Sequence, residues 1–176
     1  MSVTHDIRMI PANVTLRLAT LADALDIAEM SRDYIEAGLG WSWTRTRVAR
    51  NIASPNTVTL VANDHERMIA FGIMYCGDEH AHLNLLAVRP AYRRAGIGAH
   101  LVEWLEATAL TAGIATIRLE LRAGNEAARS FYRRMGFAEI ARVPHYYGGV
   151  ETAVRMSKDV RRAPAGTPVD WKRFLR

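Results

Sequence analysis

At 176 residues, with 49% apolar and 23% charged side chains, the chain has the composition of one globular domain with a substantial core. Its single cysteine, Cys76, excludes an intrachain disulfide, and no apolar run reaches the ~18 residues of a membrane span. The net charge of +5 is concentrated between Lys158 and Arg176, where Lys158, Arg161, Arg162, Lys172, Arg173 and Arg176 face only Asp159 and Asp170, so the body is close to neutral.

Residues 1–13 read as an N-terminal extension. Met1 to Pro11 carries Asp6 and Arg8 and lacks the apolar stretch of a secretory signal, so a cytoplasmic protein is expected, with no membrane association. Val14 to Ala19 alternates apolar and polar residues, as a half-buried strand does. Thr20 with Asp23 forms a capping-box pattern ahead of a helix from Leu21 to about Ala37, which Gly38 and Gly40 end. A second helix is expected from Thr44 to Ala53, closed by Ser54-Pro55-Asn56. Its Arg45, Arg47 and Arg50 read as a solvated face. Strands follow at Thr57–Ala62, Met68–Cys76 and Ala81–Val88, with connections short enough for an antiparallel meander.

A helix from Ile97 to Ala112 places Ile97, Leu101, Leu105 and Thr108 on one side, and Gly113 stops it. Thr116–Arg122 is the fifth strand, Asn125 caps a helix from Glu126 to Met135, and Phe137–Val143 is the sixth strand. Pro144–Gly149 reads as a loop carrying Tyr146 and Tyr147 before a last strand, Val150–Ser157. Residues 159–176 read as a basic tail, either docked through Trp171 and Phe174 or in contact with nucleic acid. The near-neutral body argues against nucleic acid as the main partner.

The chemistry concentrates around Arg93-Arg94-Ala95-Gly96-Ile97-Gly98-Ala99, between the fourth strand and the long helix. The first amides of a helix have no partner within it, and the helix dipole adds partial positive charge there. Two glycines admit a close ligand and two arginines add charge, which makes an anion site suited to a phosphate or pyrophosphate. The spacing is neither that of a P-loop nor that of a dinucleotide-binding Gly-x-Gly-x-x-Gly. What remains is Arg-x-x-Gly-x-Gly, at Arg93, Gly96 and Gly98. Downstream lies Asn125-x-x-Ala128-x-x-Phe131-Tyr132-x-x-Met135-Gly136-Phe137.

These two stretches resemble the paired motifs of the GNAT superfamily of acyl-CoA-dependent N-acetyltransferases. The resemblance covers about Val14 to Lys158 and implies a GNAT domain over residues 14–158. The fold is α/β (α+β): a mixed, mostly antiparallel sheet of about seven strands flanked by about four helices, in the order β-α-α-β-β-β-α-β-α-β-β. It implies acetyl-CoA as cosubstrate, held by Arg93, Arg94, Ala95, Gly96, Ile97, Gly98 and Ala99 at its pyrophosphate. Pantetheine would lie along Leu86, Ala87 and Val88, with Asn125, Ala128 and Phe131 alongside. Tyr132 is implied as the general acid that protonates the leaving thiolate. The stretch Ile117 to Asn125 is similar to the ribosomal-protein alanine N-acetyltransferase branch, which implies Glu120 as the base that deprotonates the amine. In a dry cleft its pKa would rise into a useful range.

The acceptor site is expected at Tyr34, Glu36, Trp41, Trp43 and Tyr147, with Glu36 a counter-charge for the amine. An α-amine, with a pKa near ~8, needs less help at neutral pH than a lysine near ~10.4, and Tyr146-Tyr147 with Glu151 resembles the peptide-acetylating branch. The expected activity is therefore acetyl transfer by direct attack in a ternary complex, onto a peptide or protein amine. The alternatives are a small-molecule amine acetyltransferase and a non-catalytic acyl-CoA-binding module. Homodimerisation is compatible with such a fold, though no stretch signals it. Cys76, in the third strand, reads as a structural thiol. His80 and His82, on one strand face, read as solvated or hydrogen-bonded with no metal site completed.

Overall fold

The computed structural model describes residues 10–162; Trp171, Phe174 and most of the basic tail lie outside them. Seven strands form one sheet: β1 (Val14–Leu18), β2 (Thr57–Asp64), β3 (Arg67–Cys76), β4 (Ala81–Val88), β5 (Thr116–Arg122), β6 (Ala138–Tyr147) and β7 (Glu151–Asp159). Four α-helices accompany them: α1 (Ala24–Tyr34), α2 (Arg45–Ala53), α3 (Ile97–Thr111) and α4 (Glu126–Arg134). The sheet order is β1-β2-β3-β4-β5-β7-β6, antiparallel at every pair except β4 with β5.

Local chemistry sets the element ends. The Thr20 amide donates to Asp23 Oδ2 at 2.7 Å, closing the expected capping box on a 3-10 turn, Leu21–Asp23, ahead of α1. Thr44 Oγ1 accepts from the Arg47 amide and caps α2, and Asn125 Oδ1 accepts from the Ala128 amide and caps α4. Gly113 and Gly136 follow α3 and α4 with φ of +79° and +88°, a left-handed turn that glycine takes without steric cost.

Helices cover both faces of the sheet. On one face α3 buries Ile97, Leu101 and Leu105 fully, with Tyr132 of α4 and Phe137 beside them. Each such aliphatic side chain contributes about 2 kcal/mol by leaving water. On the other face Ile27, Ala28 and Met30 of α1 and Val48 of α2 pack with Phe71, Ile73, Leu85 and Ala87.

Two irregularities in β4 make the site. Ile73 of β3 pairs with Leu85 and Met74 with Leu83, so Asn84 is a bulge. The extra residue reverses the facing of the strand: Leu83 packs under α3, whereas Leu85 and Ala87 pack under α1 and α2. The pairing of β4 with β5 is also short, only Ala81 with Ile117 and His82 with Arg118. Beyond His82 the two strands part, and the sheet opens as a wedge.

Several expectations are corrected here. The first helix ends at Tyr34 rather than Ala37, and the following turn is irregular. The segment expected as a loop at Pro144–Gly149 is extended strand as far as Tyr147, because β6 absorbs it through register shifts against β7, with His145 at φ +58°. His80 precedes β4, so it does not share a strand face with His82. Ile10 packs against the core and the Val14 amide donates to the Pro11 carbonyl at 2.9 Å.

Candidate active site

At one end of the wedge, the turn after β4 presents bare amides. Gly96 is the residue before α3, with φ +83° and no side chain capping the helix. The amides of Ile97, Gly98 and Ala99 thus open the helix without a side-chain cap. Arg94 is also left-handed, at φ +68°, which tightens the turn. Arg93 Nε donates to the Val88 carbonyl at 3.0 Å, and its guanidinium lies 6.0 Å from the Tyr34 ring centre. Uncapped amides at a helix start beside a guanidinium are a geometry able to hold an anion. A Cβ at Gly98 would meet Phe131 at 3.4 Å and Val88 at 3.6 Å, ordinary contact distances that a small side chain tolerates. Ala95 packs against the core and Ala87 is buried toward α1 and α2, so Ala87 offers a ligand only its backbone.

A pocket of about 560 Å³ occupies the wedge between β4 and β5. Its walls include Leu86, Asn125, Ala128 and Tyr132 from the sequence-expected coenzyme set, and Tyr34, Glu36, Trp43 and Tyr147 from the expected acceptor set. Glu120 lines it as well. Of the expected acceptor set only Trp41 stays outside the cavity, whereas of the expected coenzyme set Ala87, Val88, Phe131 and the whole turn from Arg93 to Ala99 do not line it. Trp41 is exposed, donates from Nε1 to the Trp43 carbonyl and lies under Arg32, so it supports the loop from outside the pocket.

Tyr132 is 8% exposed, its ring edge-on to Phe131 and Phe137. Burial, with a smaller push from Tyr147, holds its phenol pKa well above the usual 10. The group therefore keeps its proton at neutral pH. Arg129 fixes the helix that carries it, pairing with Glu139 of β6 at 2.8 Å.

Two carboxylates occupy the opposite wall, and both depart from expectation. Glu36 accepts from the Ser42 amide at 2.8 Å, Ser42 Oγ at 2.6 Å, the Trp43 amide at 3.2 Å and Ser31 Oγ at 3.1 Å. Burial pushes its pKa up, but these bonds together outweigh it, hold the pKa down and lock the loop between α1 and α2. Glu36 is thus a loop anchor, its oxygens already taken, rather than a free counter-charge for an amine. Glu120 hydrogen-bonds His82 Nε2 through one oxygen, while Arg155 Nε donates to the other at 2.7 Å. The His82 hydrogen bond, then Arg155, outweigh burial and pull the Glu120 pKa down to about 2. The expected rise toward neutrality is reversed, because the cleft supplies two cationic partners along with dryness.

Sequence reasoning missed Asn84 and Arg122 as members of this wall. Asn84 bonds His82 Nδ1 at 2.7 Å. Arg122 reaches the Ala37 carbonyl at 2.7 Å and pairs with Glu151 at 3.5 Å, strapping β5 to the acceptor loop and to β7. Tyr146 lines the pocket edge-on to Tyr147, 4.9 Å between ring centres, and burial pushes the Tyr147 pKa up to about 12. The break of alternation at Leu85-Leu86 was the available signal for the Asn84 bulge. Cys76 lies outside this pocket, and burial raises its thiol pKa, which suits packing rather than nucleophilic attack.

Comparison with known proteins adds to this geometry. The profile of the Acetyltransferase (GNAT) family matches residues 25–137. The [Ribosomal protein bS18]-alanine N-acetyltransferase of Salmonella typhimurium is 39% identical over 101 residues, 56% of this chain and 67% of that relative. The crystal structure of the ribosomal-protein-S18-alanine N-acetyltransferase from Escherichia coli superposes with a TM-score of 0.73 at 26% identity, covering 88% of this chain and 99% of the other. An N-acetyltransferase of Thermoplasma acidophilum in complex with coenzyme A shares the fold, with a TM-score of 0.69 at 21% identity over 83% of this chain and 98% of the other.

Proposed function

The chain belongs to the GNAT family of acetyltransferases, and on that premise we propose that it moves the acetyl group of acetyl-CoA to the α-amine of a protein N-terminus, in the cytoplasm. The observation that carries this reading is the wedge between β4 and β5, with an uncapped helix start after β4 and a pocket lined by Tyr132 and by a Glu120–His82 pair. The bS18-alanine N-acetyltransferases supply the acceptor class by similarity.

In this reading the coenzyme diphosphate lies on the amides of Ile97, Gly98 and Ala99, with Arg93 and Arg94 adding charge. Pantetheine runs along the edge of β4 that the wedge leaves unpaired, bonding to the backbone near Leu86 and Val88. A β4 amide polarises the thioester carbonyl. The amine nitrogen attacks the carbonyl carbon, the carbon–nitrogen bond forms, and the carbon–sulfur bond breaks with its electron pair leaving on sulfur. Tyr132 gives that sulfur its proton and regains one from the product nitrogen through solvent. The polar cluster at Glu120 takes the other proton of the ammonium. Tyr34, Trp43, Tyr146 and Tyr147 enclose the acceptor's first residues.

Thiol release, followed with DTNB, tests the proposal on three acceptors: an alanyl peptide with a free N-terminus, the same peptide blocked at that terminus but carrying lysine, and a small polyamine. Release confined to the free N-terminus is the expected result. Release confined to the polyamine would transfer the chain to the small-molecule class.

A further inference from the structure

The pocket between β4 and β5 carries an uneven set of charges. Its two carboxylates are both engaged within the protein: Glu36 by Ser31, Ser42 and Trp43, and Glu120 by His82 and Arg155. Two arginines line it, and they differ. Arg122 spends its guanidinium on the Ile35 and Ala37 carbonyls and on Glu151. The guanidinium of Arg47 lies over the Trp43 ring, 4.2 Å from its centre, and among the described residues no carboxylate, carbonyl or hydroxyl takes its N–H groups.

The sequence reads Arg45, Arg47 and Arg50 as one solvated face of α2; of the three, Arg47 alone lines the pocket. Its platform is fixed. Trp43 is buried, and its amide donates to Glu36 at 3.2 Å. A guanidinium stacked on an indole uses its flat face for the ring and keeps its donors at the rim, free for a planar anion. The first turn of α2 holds no acidic residue, and the helix dipole disfavours a cation there, so nothing local compensates the charge.

The wedge also sets a direction. Tyr132 packs with the core on the α3 face of the sheet, whereas Trp43 packs with the core on the α1 and α2 face. An N-terminus that brings its amine toward Tyr132 trails its following residues toward Trp43 and Arg47.

We propose that Arg47 selects the acceptor: on its Trp43 platform it receives the carboxylate of an Asp or Glu side chain carried by the second or third residue of the N-terminus to be acetylated. This rests on the reading of the chain as an N-terminal acetyltransferase. The fork of a guanidinium matches a carboxylate with two parallel hydrogen bonds. A basic side chain at the same place meets Arg47 and Arg122, with both lining carboxylates already taken, so the site discriminates by repulsion as well as by attraction. Tyr34, Trp43, Tyr146 and Tyr147 are neutral and leave the choice of charge to Arg47.

The test follows thiol release by the full chain with acetyl-CoA and alanyl peptides that are identical except at the second and third residues, which carry Asp, Asn or Lys. Wild type should favour Asp over Asn by roughly tenfold in kcat/KM at one of the two positions, through KM rather than kcat, and Lys should fall below Asn. Rising salt should shrink the Asp advantage. Arg47→Gln should bring the Asp-to-Asn ratio close to one, and Arg47→Glu should invert the order of Asp and Lys. A merely structural arginine would lower all three peptides together and leave the ratio where it was. The wild-type ratios need no variant, so they decide the matter even where Arg47→Glu does not fold. Asp and Asn peptides within about twofold of each other at both positions, a wild-type preference for Lys, or an Asp preference that survives in folded Arg47→Glu overturns the proposal. Equal release from all peptides overturns this inference alone, whereas no release from any of them takes down the transferase reading with it.

Discussion

The two ends of the wedge are built differently. The coenzyme end is a continuous stretch, from Leu86 to Ala99, whose chemistry lies in backbone amides and one left-handed glycine. The acceptor end draws on segments far apart in the chain: the loop after α1, the start of β4, the end of β5, and the β6–β7 hairpin. Its charged groups, Arg47 apart, are bound to one another before any substrate arrives. A diphosphate is a constant ligand, and a constant ligand can be met by local backbone geometry. An acceptor varies, and its site is made of side chains that can change while β4 and α3 stay in place.

The comparison can be broken at several points. The largest effect is expected where the two ends meet: Tyr132→Phe should lower kcat at least ~100-fold while leaving acetyl-CoA affinity within about twofold. A loss of affinity equal to the loss of turnover would move Tyr132 from acid to coenzyme ligand. On the acceptor side, Glu36→Ala strands the Ser42 and Trp43 amides, so unfolding free energy should fall by about 2 kcal/mol and the acceptor KM should rise. Acetyl-CoA binding by calorimetry should not change, since Glu36 bonds only within the segment from Ser31 to Trp43 and not to the Gly96 turn.

On the coenzyme side, Gly96→Ala puts a Cβ at φ +83°, which costs about 1–2 kcal/mol, and acetyl-CoA should bind more weakly by a comparable amount. Acceptor selectivity should survive that change. The His82–Glu120 pair predicts a smaller effect with a definite pH window. Glu120 drops from 4.5 to about 2 on folding, so its contribution is present above about pH 4.5 and fades as pH falls toward 2. His82 is raised above 6.5, so its share is full below 6.5 and is lost as pH climbs through the folded value. Urea midpoints of wild type and His82→Gln should therefore differ most between about pH 4.5 and 6.5, by about 1 kcal/mol, and converge at both extremes. The smallest effect is expected at Arg50→Ala on the exposed face of α2, where stability should stay within about 0.5 kcal/mol and turnover should not move.

How much could be read in advance follows the same division. The strand and helix order, the caps at Thr20 and Asn125, and the turn at Gly96 are set by neighbours in sequence, and each was legible there; Thr44 was read as the start of its helix rather than as the cap. Tyr132, Leu86, Asn125 and Ala128 also fell in the cavity as expected. The electrostatics were not legible. Nothing local to Glu120 reveals that Arg155, its partner across β5 and β7, and His82, on the strand beyond, will hold it at low pKa. Glu36 was read as a free charge because the amides that consume it, at Ser42 and Trp43, come into place only when the loop closes. Tyr146 and Tyr147 sit in a segment whose Pro144, Gly148 and Gly149 favour a loop, yet pairing with β7 keeps it extended as far as Tyr147. Tertiary pairing overrode local preference there.

A crystal structure with coenzyme A and an alanyl peptide bound would test the central claim most directly. The account predicts the diphosphate on the amides of Ile97, Gly98 and Ala99, the sulfur within hydrogen-bonding reach of the Tyr132 hydroxyl, and the peptide amine entering between β4 and β5 beside His82. A coenzyme seated elsewhere, or a wedge between β4 and β5 that closes over an empty channel while the sulfur lies far from Tyr132, would contradict it.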